Sequence, residues 1–143
     1  MKGSQCPGEH TFQLSLYPHK GNWIEGKVFS EALKFNYDLK AVQSGNGNGA
    51  LPSSASFISI DSQDVIMSCF KKSEDYNAYI LRLYNPSSSD IDTHINTFFK
   101  ITNASIVSLE EKFLSYIPQT EDNRIHINIS KKKILTLKLS FSS

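Results

Sequence analysis

The chain has 143 residues, with 15 basic and 14 acidic side chains and a formal net charge of +1. This length suits a single domain with a real hydrophobic core. The charge balance offers no attraction for a nucleic acid or a membrane surface, and no apolar run approaches the length that spans a bilayer.

Alternation of apolar and polar side chains predicts a series of short β-strands. In the first run, residues 10–17, Phe12, Leu14 and Leu16 share one face. Later runs with the same period of two occupy residues 65–70, 79–84, 124–129 and 134–141, and weaker runs occupy 56–60, 91–99 and 104–109. Because many short strands separated by turns are typical of antiparallel sandwiches, we predict a mainly all-β fold, an antiparallel β-sandwich.

One segment departs from this pattern. Near residues 23–36 the apolar side chains recur at spacings of three and four, which predicts one α-helix. Asn22 can cap it, and Glu25 can accept a hydrogen bond from the Asn22 N–H in a capping box. Trp23 is then expected to pack into the core. We predict a flexible N-terminal segment at 1–9 and a single sandwich domain at 10–143.

The sequence contains no persuasive catalytic arrangement. The four histidines lack the spacing of zinc motifs, and two cysteines do not make a four-ligand zinc site. No pair of carboxylates is placed convincingly as an acid–base couple, because Glu110 and Glu111 are neighbours that would point to opposite faces of a strand. We therefore predict no catalytic and no metal-binding residue in this chain.

Two residues are candidates for contacts beyond the domain. His19, beside Lys20 and Trp23, could line a sugar-stacking surface, but a hydrogen-bonded role at the strand–helix corner is favoured. Arg82 lies mid-strand on the face of Tyr84, and arginine is seldom buried without a partner. A contact with another domain and a pairing with Asp or Glu on the next strand are equally good interpretations of Arg82.

Several motifs in a fixed order resemble the C-terminal end of the glycoside hydrolase family 38 α-mannosidases. The resemblance runs from about His10 to Leu139. Its most specific pieces are LYPH at 16–19 and ILRLYN at 80–85, and they are supported by KKSED at 71–75, SLEE at 108–111 and ILTL at 134–137. Several ordered motifs at matching spacings are stronger than any single one.

The resemblance implies one part of a larger enzyme. In this family the zinc ion and the aspartate nucleophile belong to an N-terminal α/β barrel, against which C-terminal β-sandwiches pack. We therefore expect a non-catalytic domain without a cofactor of its own, with zinc in the absent barrel. It would pack on the barrel of the same parent chain and shape the carbohydrate cleft of an enzyme that hydrolyses terminal α-mannosides with retention.

The same resemblance makes His19, Arg82 and Tyr84 the predicted interface or cleft-rim residues. A cytoplasmic location is favoured for the parent, since no signal peptide is visible in this sequence.

An independent carbohydrate-binding module is the alternative function, because such modules are also β-sandwiches. It would need an exposed aromatic platform, for which Trp23 and Tyr76 are the candidate sugar-stacking residues. A weaker third interpretation is an immunoglobulin-like interaction domain, because Trp23 lies between Cys6 and Cys69. We judge that match accidental, since Trp23 is expected at the start of the helix.

Overall fold

The structure is a computed structural model that describes residues 7–45, 47, 49, 51–118 and 121–142. The chain divides into two compact units, Met1–Lys40 (unit 1) and Ala41–Ser143 (unit 2). Residues 1–6 of the predicted N-terminal segment, Cys6 among them, lie outside the described residues. The domain boundaries at 1–9 and 10–143 stay a prediction.

Unit 2 is built from two antiparallel sheets, which confirms the predicted β-sandwich class. The three-stranded sheet has the order β1 (Ile58–Ile60), β4 (Ile91–Thr97), β7 (Arg124–Ile129). The five-stranded sheet has the order β2 (Ile66–Lys72), β3 (Tyr79–Tyr84), β8 (Ile134–Phe141), β5 (Ile101–Val107), β6 (Phe113–Tyr116). Strands β3, β7 and β8 have the bounds that the sequence predicts. The short strand β6 is missed, because all four of its residues are exposed and leave no buried face to recognise.

Aliphatic side chains from the two sheets meet in one core. Leu81 of β3 lies opposite Leu137 of β8 in the ladder, and both are fully buried. From the other sheet, β7 contributes Ile125, Ile127 and Ile129, which share a face as their alternation predicts. Each such side chain contributes roughly 1.5–3 kcal/mol when it leaves water, so this core supports unit 2.

The helix of unit 1 is shorter than predicted. Helix α1 covers Val28–Asn36, and residues 23–27 form turns instead. The interruption occurs at Lys27, whose φ of 51° is left-handed and cannot continue a right-handed helix. Trp23 is 42% exposed, so the prediction that it packs into the core is wrong.

The capping geometry predicted around Asn22 exists, but it closes those turns rather than α1. The Asn22 Oδ1 accepts the N–H groups of Ile24 at 2.9 Å and Glu25 at 3.1 Å. In return, the Asn22 N–H donates to Glu25 Oε2 at 3.3 Å. The capping box was therefore correct as a local interaction and wrong as the start of the helix, because a cap does not decide how far the following turns continue.

The predicted first strand at residues 10–17 is not formed. The structure assigns these residues to no helix, strand or turn. A strand exists only when its backbone groups pair with a neighbour, and none of the eight described strands pairs with this segment. The alternation of Phe12, Leu14 and Leu16 indicates where apolar side chains can gather, but it cannot supply the partner.

Candidate interaction site

The loop between β5 and β6, residues 108–112, folds back over the outer face of the five-stranded sheet. It is closed on itself by Ser108, whose N–H donates to Lys112 O at 2.8 Å and whose carbonyl accepts the Glu111 N–H at 3.0 Å. Glu111 has a φ of 63°, a left-handed conformation that side-chain-bearing residues rarely adopt. This turn directs the Glu111 side chain away from β5 and β6, the two strands that the loop joins.

Glu111 ties this β5–β6 loop to strand β2. Its side chain is only 8% exposed, and its carboxylate accepts hydrogen bonds from Lys71 Nζ and, at 2.8 Å, from the Glu74 N–H. The hydrogen bond with Glu111 raises the pKa of Lys71, and the same bond, followed by that from the Glu74 N–H, lowers the pKa of Glu111. Strands β8 and β3 lie between β5 and β2 in the sheet, so the loop crosses both.

Arg82, on the sheet beneath the same loop, also binds it. Its Nη2 donates to Leu109 O at 3.2 Å, and its Nε donates to Thr136 Oγ1 at 3.3 Å. Both acceptors are neutral oxygens. One interpretation of the sequence instead paired Arg82 with an Asp or Glu side chain on the next strand. Ile80, two residues earlier on the same face of β3, is fully buried. The outer face of this sheet is therefore covered in its middle.

A second ion pair closes the hairpin between β2 and β3. Lys138 of β8 donates to Asp75, whose other oxygen lies 2.6 Å from the buried Ser73 hydroxyl. The hydrogen bond from Lys138 lowers the pKa of Asp75 from 3.8 to about 2, with smaller effects from Ser73 and the Asn77 N–H. The carboxylate thus stays ionised over the ordinary pH range.

These contacts bring together four of the motifs that carried the family resemblance. The motifs at 71–75, 80–85, 108–111 and 134–137 supply Lys71, Arg82, Glu111 and Thr136, which meet on one face. Their side chains satisfy one another and hold loops. The arrangement is a structural network that shapes this face, and sequence spacing alone could not show that the motifs meet.

An apolar groove lies at the side of the sandwich where β1 and β2 form the edges of their sheets. We call it the aromatic groove. Its cavity volume is about 670 Å³, and its lining is Phe57, Ile58, Met67, Phe70, Tyr79, Phe99, Phe141 and Ser142. No sequence signal marked it, because its members come from several strands and loops that are far apart in the chain.

The rings of the aromatic groove stack on one another but stay open to solvent. Phe70 and Tyr79 stack with ring centroids 5.5 Å apart, and Phe57 and Phe99 stack at 6.0 Å. Phe57, Phe70 and Phe99 are each 45–49% exposed. Exposed aromatic surface of this kind marks an interaction site more often than a free surface.

The predicted site residues in unit 2 are spread along β3. Tyr84, at one end, and Arg82 are half-buried, whereas Tyr76 is 78% exposed in the turn that precedes the other end. At about 3.3 Å per residue, the six residues of β3 keep the two tyrosines well apart. Tyr76 and Tyr84 therefore do not form one platform.

The predicted residues of unit 1 lie around its corner. Gly26 lacks a Cβ where the His19 ring approaches, since a Cβ there would lie 2.5 Å from that ring. The His19 ring also stacks with Tyr17 at 6.0 Å, and its Nδ1 lies 3.5 Å from Lys20 O. Trp23 contacts Phe29, with ring centroids 6.2 Å apart. The favoured hydrogen-bonded role of His19 stays a prediction.

Two histidines face each other on the solvent side of the three-stranded sheet. His94 of β4 lies opposite His126 of β7, and each has a carboxylate nearby, Asp61 at 3.6 Å and Asp92 at 3.2 Å respectively. Across the described part of the chain, no three His, Cys, Asp or Glu side chains are grouped to hold a metal ion. Within the same ranges, no helix has the length and apolar composition for a membrane span.

Comparison with known proteins agrees with this sandwich. Residues 64–137, just over half of the chain, match the model of the glycosyl hydrolases family 38 C-terminal beta sandwich domain. The chain belongs to this family. The match includes β2 to β7 and the first part of β8, and so it contains all four of the contacting residues Lys71, Arg82, Glu111 and Thr136.

Individual relatives extend the likeness beyond the family domain. Alpha-mannosidase 2C1 of Mus musculus is 28% identical over 141 residues, which cover 95% of this chain and 13% of that protein. The Homo sapiens protein of the same name is 28% identical over 136 residues, 92% of this chain and 13% of that protein. A Halalkalibacterium halodurans protein, provisionally named a mannosylglycerate hydrolase, is 24% identical over 137 residues, 94% of this chain and 15% of that protein. The chain thus spans about an eighth of the length of these relatives.

Proposed function

We propose that this chain is the non-catalytic C-terminal β-sandwich of an enzyme that hydrolyses terminal α-mannosides. In this proposal it packs against a catalytic barrel of the same polypeptide, which carries the zinc ion and the nucleophile, and it shapes the rim of the carbohydrate cleft. Two relatives that align with more than nine-tenths of this chain are named alpha-mannosidase, which supports the substrate class.

The aromatic groove is the observation that carries the proposal. Its lining is apolar and contains no charged side chain, so water solvates it poorly and a protein surface would cover it favourably. The outer face of the five-stranded sheet is already covered in its middle by the β5–β6 loop. The groove is thus the open apolar surface of unit 2 that best fits a neighbouring domain. Independently of the groove, His19, Arg82 and Tyr84 remain the candidate interface or cleft-rim residues.

The first experiment compares the longer polypeptide with this chain in the hydrolysis of a chromogenic α-mannoside. We expect turnover by the longer polypeptide and none by residues 1–143 alone. Turnover by this chain alone, or its absence in a folded longer polypeptide, would contradict the proposal.

A pair of variants tests the groove itself. Phe99→Asp places a charge in the groove, and Leu114→Asp places one on β6, where Leu114 is 61% exposed and outside the groove. In the longer polypeptide we expect Phe99→Asp to lower activity about 10-fold or more, because an unpaired charge at a buried interface is costly, and Leu114→Asp to have little effect. Equal activities of the two variants would remove the groove from the proposal.

A further inference from the structure

The segment at residues 10–17 leaves an apolar row in solvent. Phe12 is 84% exposed, and Leu14 and Leu16 are each 96% exposed. None of the described residues of unit 1, 7–40, is buried. Ordering a chain costs conformational entropy that only burial or pairing can offset, so a unit with this sequence pattern lacks its covering surface.

The segment already has the side-chain directions of a β-strand. The rings of His10 and Phe12 stack with centroids 6.3 Å apart, and those of Tyr17 and His19 stack at 6.0 Å. Side chains two residues apart point to the same side when the backbone is extended. The stacking at both ends therefore agrees with the alternation of Phe12, Leu14 and Leu16.

Helix α1 does not cover this row. A cavity of about 600 Å³ lies between the segment and the helix, with Leu14 and Tyr17 on one wall and Val28 and Phe35 on the other. Its lining also contains the polar or charged residues Gln13, Ser15, His19, Glu31, Lys34 and Asn36. On the helix, Phe35 is itself 41% exposed. Phe12 and Leu16 do not line this cavity, so the helix does not cover those two side chains.

The family model does not include unit 1, but the alignments with individual relatives include most of it. The family model begins at residue 64, well past unit 1. The alignment with the mouse alpha-mannosidase covers 95% of this chain, and the remaining twentieth is far shorter than unit 1. The relatives therefore contain a counterpart of most of unit 1 that lies outside the C-terminal sandwich family domain.

We propose that residues 10–17 are a strand of a neighbouring β-sheet domain of the longer polypeptide. Phe12, Leu14 and Leu16 then face the core of that domain, and α1 packs beside the added strand. The inference rests on the proposed function only in treating the chain as part of a longer protein. Under this inference residues 10–17 belong to a neighbouring domain, which is an alternative to the predicted single domain at 10–143.

The composition of the segment favours a permanent sheet partner in the same polypeptide. The sequence HTFQLSLY contains no Lys, Arg, Asp or Glu. Strands that stay at an open edge usually carry such charges, which prevent pairing with other chains. A segment without them is suited to a ladder that is always formed, as it is when the partner is covalently linked and at high effective concentration.

Hydrogen–deuterium exchange tests the inference directly. It is measured for the amides of residues 11–17 in this chain and in the longer polypeptide. We expect exchange about 100-fold slower or more in the longer polypeptide, because ladder hydrogen bonds protect amides. Equally fast exchange in both would overturn the inference. Protection in this chain that rises with its concentration would also overturn it, in favour of pairing between copies.

Two substitutions on opposite faces of the segment sharpen that test. In the longer polypeptide, Leu14→Asp should abolish the protection, whereas Ser15→Asp, on the other face, should retain it. In this chain neither should shift the urea midpoint, since both residues are exposed. Equal protection in the two variants would contradict the assigned face. Exchange is read without substrate, so a longer polypeptide inactive on α-mannosides could still confirm the strand.

Discussion

Unit 1 and unit 2 contain apolar patterns of similar strength, but the apolar sides of these patterns are buried only in unit 2. The alternation of Phe12, Leu14 and Leu16 resembles that of Ile125, Ile127 and Ile129, yet the first row is exposed and the second is buried in the core. In unit 2 each sheet supplies the surface that covers the other. The comparison shows that an amphipathic pattern specifies a face, whereas stability comes from the surface that covers that face.

The largest expected difference in stability is between truncations of one leucine in each unit. Leu81→Ala should lower the free energy of unfolding of this chain by about 3 kcal/mol, because it leaves a cavity among packed side chains. Leu14→Ala should change it by less than about 0.5 kcal/mol, since Leu14 is 96% exposed. Urea denaturation followed by circular dichroism measures both. Similar losses would show that Leu14 is buried in solution and would break the comparison.

An intermediate effect is expected from one asparagine in each unit. Asn85 is fully buried, and its amide donates to Ser89 O at 2.8 Å and Ile129 O at 2.9 Å. Asn85→Ala should lower the free energy of unfolding by about 2 kcal/mol, because the buried carbonyl of Ile129 loses its donor.

The matched control is Asn36 at the end of α1, which donates to Ala32 O at 2.8 Å but is exposed. Asn36→Ala should cost less than about 0.5 kcal/mol, since water replaces the lost bond. The same urea titrations give both values. A larger loss at Asn36 than at Asn85 would contradict the conclusion that stability comes from the buried contacts of unit 2.

The smallest expected effect is a change in pH dependence. The pKa of Asp75 is lowered from 3.8 to about 2, so its contribution to stability is fully present above the unfolded value. It is lost as the pH falls from about 4 to about 2, where the folded carboxylate becomes protonated. Asp75→Asn should therefore flatten the stability curve in this range.

Asp38→Asn in unit 1 is the control for that titration, because Asp38 is exposed and lies outside the sandwich. Unfolding midpoints are measured in urea at a series of pH values for the parent chain and both variants. An Asp75→Asn curve parallel to that of the parent chain would show that the contact with Lys138 contributes nothing in solution.

The strands of unit 2 were predictable because the signal for them is local. Alternation over 79–84, 124–129 and 134–141 follows from the two-residue period of an extended backbone, and the observed strands have these bounds. The same signal failed at 10–17, where no described strand pairs with the segment. It failed in the opposite way at Phe113–Tyr116, which pairs with β5 although every residue is exposed.

The sequence by itself determined the positions of the main strands and, through its ordered motifs, the family to which the chain belongs. Only the tertiary structure showed that Glu111 reaches Lys71, that Arg82 holds Leu109 O, and that separate aromatic residues form one groove. The physical reason is that side-chain direction is a local property of the backbone. The order of strands in a sheet is set by packing between residues far apart in the chain, and that order decides which side chains meet.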